Sequence, residues 1–202
     1  MARQPAAGAM SGAAGLPGIA ALATGLLLFA IALVAARWRR PREVAARRDA
    51  MSTNGIALQG AAVFTVMWGQ VRVTLDPLGT AAIGAAIVTA LLFAVALALF
   101  LWSTAAMGHN WSLVARVRSD HQLVTRGPFA HIRHPIYTAL ALVVVAAAVA
   151  TGRLPRLLIA LPLYGLGTWL RVRIEERLLH AAFGVAYEDY AGRVKRFLPS
   201  VF

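Results

Sequence analysis

Long apolar runs separated by short polar clusters set the pattern of this chain. Leu16 to Ala36 is 21 residues without a charge, enough for a helix to cross the hydrocarbon core of a bilayer. It is longer than a signal-peptide core and no polar cleavage region follows, so it reads as a retained helix. Arg37-Trp38-Arg39-Arg40-Pro41-Arg42 ends it, with Trp38 expected at the interface and Pro41 as the stop. Residues 43–53 read as a basic loop or a short surface helix. Asn54 to Val71 is a second run, with Gln59 and Gln70 as its only large polar groups. Arg72 to Gly79 reads as a turn punctuated by Asp76-Pro77. Thr80 to Trp102 is a third run, and a polar loop follows from Ser103 to Pro135. Ile136 to Ala150 and Leu157 to Leu170 are shorter, and Thr151 to Arg156 separates them. Their spacing predicts a tight helical hairpin, tilted or locally thinning the bilayer. From Arg171 the pattern is charged and helical, with a break at Gly184, and Tyr187 to Phe202 is expected along the surface. Residues 1–15 read as a disordered tail.

The predicted fold class is all-α: a polytopic integral membrane protein of about five transmembrane helices with a C-terminal cytoplasmic helical segment. The chain of 202 residues forms one membrane domain, with the tail at 1–15, three spans within 16–102 and the remaining polar clusters in 103–202. Composition agrees, since 59% of residues are hydrophobic and 14% charged, a balance no ordinary soluble domain has. The net charge of +12 does not point to nucleic acid, because the cations sit at the ends of apolar runs. With five spans and the N-terminus outside, sixteen of the twenty Lys and Arg fall in loop 37–53, loop 103–135 and the C-terminal segment, all cytoplasmic. No Cys is present, which excludes disulfides, thiolate nucleophiles and Cys-ligated metals. The Arg- and Ala-rich usage suggests a bacterial inner membrane.

Two polar clusters stand out, on the same predicted side. One is Leu123 to Tyr137, which contains Gly127-Pro128 and Arg133-His134-Pro135; the other is Arg171 to Glu176. Of the eight acids, only Glu175 and Glu176 directly follow an apolar run, and a carboxylate there is costly without a partner. On a helix Arg171 and Glu175 share a face, so a local ion pair worth about 0.2–0.5 kcal/mol is the plain reading. Arg before Glu is the weaker order for such a pair, and the cluster faces a second one, which favours a site. His134-Pro135 is also an ordinary helix start, and Arg133 an ordinary interfacial anchor. His131 and His134 are three apart, but no other ligand group accompanies them, so no metal is expected. No Gly-x-Gly-x-x-Gly turn is present, which excludes a Rossmann cofactor domain. Trp102, Trp111, Phe129, Tyr137, Tyr164 and Trp169 fit an interfacial belt. Phe129 and Tyr137 also flank the first cluster, while Tyr187 and Tyr190 read as surface packing.

Several segments together resemble the isoprenylcysteine carboxyl methyltransferase family, which is related to the phospholipid N-methyltransferases. They are His121 to Phe129, Arg133-His134-Pro135-x-Tyr137, Arg171-x-x-x-Glu175-Glu176, Phe183-Gly184-x-x-Tyr187-x-x-Tyr190 and Arg196-x-x-Pro199. The resemblance covers residues 108–200 and no signature falls in the first two spans. It implies a methyltransferase using S-adenosyl-L-methionine from the cytosol and a lipophilic small-molecule substrate from the bilayer. It makes 103–202 the cofactor-binding catalytic region. Carried over, His121, Leu123, Val124, Phe129, His134, Pro135, Tyr137 and Glu175 bind the cofactor. Arg171 orients the substrate's reacting group, and Arg171 and Glu175 are the catalytic pair.

The sequence departs from the family at Phe129, where a Tyr is common, and at Ala139 and Leu140, near a common Gly. The implied acceptor is an isoprenylcysteine-like carboxylate, which needs no general base. An amine acceptor, as in a phospholipid N-methyltransferase, would need one, with Glu176 or His131 as candidates. A membrane NADPH-dependent sterol or lipid reductase is the other reading, since such enzymes share a His-Pro-x-Tyr segment. Membrane lipids are the expected surroundings, and oligomeric state is open.

Overall fold

The computed structural model describes residues 12–38, 50–108 and 122–199. Its elements are β1 (Ala13–Ala14), α1 (Leu16–Trp38), α2 (Ala50–Met67), β2 (Arg72–Val73), α3 (Thr80–Met107), α4 (Pro135–Ala150), α5 (Leu157–Phe183) and α6 (Val185–Arg193). Single 3-10 turns at Gly127–Ala130 and Leu154–Arg156 precede α4 and α5. The protein is all-α and of membrane type. Among the described residues three helices are long and apolar enough to cross a membrane: Leu16–Trp38, Thr80–Met107 and Leu154–Phe183. Helix α4 is apolar but shorter. Leucine, valine and isoleucine side chains stay exposed along α1, α3 and α5, as lipid-facing surfaces require.

Several boundaries differ from the sequence pattern. Ala13 and Ala14, read with the tail, pair in parallel with Arg72 and Val73, inside the segment read as a turn. Ala14 is buried there. Ser103 to Met107 continue α3 instead of opening the polar loop, because the Ser103 and Thr104 hydroxyls turn back onto Leu99 and Leu101 carbonyls. Helix α5 does not stop at Leu170 but runs unbroken through the charged cluster to Phe183. Gly184, at φ +51°, then admits a left-handed turn into α6.

The expected tight pairing of the two short helices is also corrected. Helix α5 packs along α2, and α4 packs along α3, which in turn packs on α1. Helix α4 touches all four other long helices. Its alanines at 139, 146, 147, 148 and 150 are buried accordingly, small enough for neighbours to close in from every side. At one end of the bundle the 151–156 turn caps α2. Arg153 donates to the carbonyls of Val66, Met67 and Gly69, and Arg156 to that of Thr65. The Thr65, Val66 and Met67 carbonyls belong to the last turn of α2 and have no partner within it, and guanidinium groups suit the negative end of its dipole. The opposite end gathers the C-termini of α1, α3 and α5 with the start of α4.

Candidate functional site

The site grows from the first turn of α4 and the C-terminal half of α5. Pro135 opens α4 and His134 precedes it with φ −127° and ψ 57°. That non-helical geometry lets Arg133 and His134 donate their backbone N–H groups to the carbonyls of Lys195 and Arg196, at 2.8 and 2.9 Å. Thr138 adds a side-chain bond to the Phe197 carbonyl. The segment after α6 therefore runs beside residues 132–138. It does not simply lie along the surface, as the sequence suggested.

Tyr137 stands three residues after His134, one turn along the same face of α4. Glu175 and Glu176 are neighbours on α5, so their side chains diverge by roughly 100° and enter different environments. Glu176 is the hub of an ion-pair network. Arg196 grips it with Nε at 3.0 Å from Oε1 and Nη2 at 2.7 Å from Oε2. Arg133 lies 3.5 Å away and His134 Nε2 3.2 Å away. Glu175 meets a different set. The Tyr137 hydroxyl donates to its Oε1. Arg171 Nη2 lies 3.9 Å from the same oxygen, and His134 Nδ1 is 3.7 Å from Oε2.

His134, only 6% exposed, thus has one ring nitrogen toward each carboxylate. The contact to Glu176 has hydrogen-bond length; the one to Glu175 does not. The Arg171 guanidinium also lies 5.3 Å from the centre of the Tyr137 ring, within cation–π range. The pairing of Arg171 with Glu175 is therefore not merely local, because α4 contributes a ring, a hydroxyl and an imidazole to it.

Tyrosines fix the framework. Tyr164 donates to the Tyr137 carbonyl at 2.7 Å and Tyr190 to the Phe129 carbonyl at 2.7 Å. Tyr164 is buried, which corrects its reading as an interfacial residue, whereas Trp102 and Trp169 are half exposed. Tyr187 and Tyr190 are likewise buried rather than superficial. Burial pushes the Tyr187 phenol up to about 12, and Tyr190 above its ordinary value. Both therefore stay protonated at working pH. The Glu176 carboxylate, hydrogen-bonded to Arg196, raises the guanidinium pKa further.

The residues singled out from sequence divide clearly. His134, Pro135, Tyr137, Arg171 and Glu175 converge. Phe129 is buried in the 3-10 turn before them and anchored through its carbonyl. Leu123 and Val124 are half-buried on the approach to that turn. His121, like Trp111, lies outside the described residues. His131 is exposed. Among the described residues no group of three or more His, Asp or Glu could hold a metal.

Sequence reasoning did not select Gln59, Tyr164 or Arg196 as site residues. A polar side chain inside an apolar run was the available signal for Gln59. For Arg196, it was the tail motif to which it belongs. Helix α2 approaches at two glycines: a Cβ on Gly55 would lie 2.5 Å from Arg171 Cγ, and one on Gly167 would lie 2.7 Å from the Gly55 carbonyl oxygen. The Arg171 stem therefore lies against bare backbone.

The model of the phospholipid methyltransferase family matches residues 85–186, half of the chain. This chain belongs to the phospholipid methyltransferase family. The matched region takes in α4, α5 and the His134, Tyr137, Arg171, Glu175 and Glu176 constellation. It stops short of Tyr187, Tyr190 and Arg196. No curated protein matches the chain. With its apolar helices, family membership makes this an integral membrane methyltransferase.

Proposed function

We propose that this protein transfers a methyl group from S-adenosyl-L-methionine to a lipophilic, carboxylate-bearing acceptor of the isoprenylcysteine type that enters from the bilayer. The observation that carries the reading is the juxtaposition of Arg171 and Glu175 on one face of α5 with His134 and Tyr137 at the start of α4. The donor set fits the amino-acid end of the cofactor. Glu175 is a carboxylate whose side chain is 22% exposed, and its contacts leave acceptor capacity for an ammonium group. When bound, S-adenosylmethionine supplies a methyl group on an electrophilic sulfonium.

The protein's part is positioning. Glu175 accepts charge-assisted hydrogen bonds from the cofactor's ammonium, while the Tyr137 hydroxyl sets its rotamer. His134, Pro135, Phe129, Leu123 and Val124 would form the rest of the cofactor site, with His121 assigned to it by the family resemblance alone. Arg171 orients the acceptor carboxylate. Such a carboxylate is already ionised near neutral pH, so no general base is needed.

Phospholipid N-methylation is the second reading, favoured by the family's own description. An amine acceptor needs a base. Of the two candidates, Glu176 is engaged by Arg133, His134 and Arg196 and His131 is exposed, which supports the carboxylate. The cation distribution supports a cytoplasmic site and C-terminus with the N-terminus outside, and the composition supports a bacterial inner membrane.

The test is calorimetric titration of S-adenosylmethionine into detergent-purified protein, with NADPH in parallel. Saturable binding of the former is expected, lost in Glu175→Ala and kept in Arg171→Ala, which instead loses turnover. Binding of NADPH alone, or full activity in both variants, refutes the assignment.

A further inference from the structure

Gln59 lies inside an otherwise apolar stretch of α2, and it is buried. A primary amide in such a place is costly unless its groups are satisfied. Its Nε2 donates to Thr168 Oγ1 at 2.9 Å, and its Oε1 accepts from Arg171 Nη1 at 3.4 Å. The amide orientation follows from chemistry, since a guanidinium can only donate and so must face the oxygen. Thr168 and Arg171 are three residues apart on α5, on one face. Gln59 therefore spans them from the partner helix, one side-chain turn above the Gly55 contact that holds the arginine's stem.

We infer that Gln59 is a positioning residue that fixes the Arg171 guanidinium for an anionic acceptor group without neutralising its charge. The inference rests on the reading of Arg171 as the acceptor-orienting cation. A neutral amide suits this task. A carboxylate there would compete with the acceptor for the guanidinium, and an aliphatic side chain would remove the amide oxygen that faces it. Thr168 settles which end of the amide faces the arginine.

The test uses two probes on the full chain in lipid nanodiscs: an S-farnesyl thioacetic acid and its uncharged primary amide. Binding is followed by intrinsic tryptophan fluorescence without turnover. The wild type is expected to prefer the acid. Gln59→Glu should lower that preference about tenfold and Gln59→Leu about threefold, a small effect because the 3.4 Å bond to Arg171 is long and reaches the acceptor only through the guanidinium. S-adenosylmethionine affinity, measured in the same samples, should stay within about twofold, since a bond to Arg171 contributes only indirectly there. A purely structural role for Gln59 would weaken acid and amide alike.

Equal acid preference in the wild type and both variants overturns the inference, as does a wild type that does not discriminate the two probes. If Gln59→Glu does not fold, Gln59→Leu, which suits an apolar helix, decides. The methyltransferase reading stands or falls separately on wild-type cofactor binding.

Discussion

Removing the Arg153 guanidinium should unfasten the end of α2. Arg153 is 2% exposed and reaches Val66, Met67 and Gly69 carbonyls at 2.9, 3.0 and 2.7 Å. A hydrogen bond from a charged donor is worth about 1.5–3 kcal/mol. The Val66 bond is fully buried and falls in the upper half of that range. The other two are partly exposed and count for about 1 kcal/mol each after competition from water. Arg153→Met should therefore cost about 4 kcal/mol. Arg153→Lys keeps the charge but not the planar fork, and should cost about 2 kcal/mol. The assay is reversible unfolding in mixed dodecyl sulfate micelles followed by circular dichroism. Hydrogen exchange across Thr65 to Gly69 gives the local readout. Arg156→Met, whose site is more open, should cost less than Arg153→Met. A loss below about 1 kcal/mol in Arg153→Met, with exchange at α2 unchanged, refutes the clamp.

Tyr137→Phe removes the donor to Glu175 and should weaken S-adenosylmethionine binding about fivefold to tenfold by calorimetry; unchanged affinity means the hydroxyl does not orient that carboxylate. Arg196→Gln breaks the bidentate grip on Glu176 and should raise proteolysis of residues 194–199, with backbone bonds to Arg133 and His134 limiting the effect. Equal proteolysis of the two proteins contradicts the role given to Arg196. Tyr187 holds its proton more tightly folded than unfolded, up to about 12. The stability it contributes is complete below pH of about 10 and lost as pH rises through about 12, so Tyr187→Phe should flatten that alkaline limb in a melting series. Gly55→Val drives a side chain into the Arg171 stem and the Gly167 backbone. It should lower the melting temperature and raise the acceptor KM together; a change in neither rules out close packing of α2 on α5.

The apolar runs were legible because a membrane helix advertises itself locally. Length and lack of charge locate α1 and α3 within a few residues, and arginines mark the end of α1. They also show the two polar clusters, since charged side chains cannot continue into hydrocarbon. His134, Tyr137, Arg171 and Glu175 could be named from spacing and resemblance for the same reason: each pair lies within one helical turn. Which helices pair was not legible. Lipid is as apolar as leucine, so hydropathy carries no address. The partnership of α2 with α5 depends on Gly55 meeting Gly167 and on guanidiniums from a distant turn. Chain order suggested a tight hairpin of α4 and α5, whereas α4 packs mainly on α3 and α5 mainly on α2. The separate fates of Glu175 and Glu176 also needed the third dimension. Adjacent in sequence, they point apart on α5, and only the fold brings Arg133 and Arg196 to one and Tyr137 to the other. Gln59 shows the division most clearly. The sequence marks it as a polar residue in an apolar helix, and the packing of α2 on α5 alone supplies its partners.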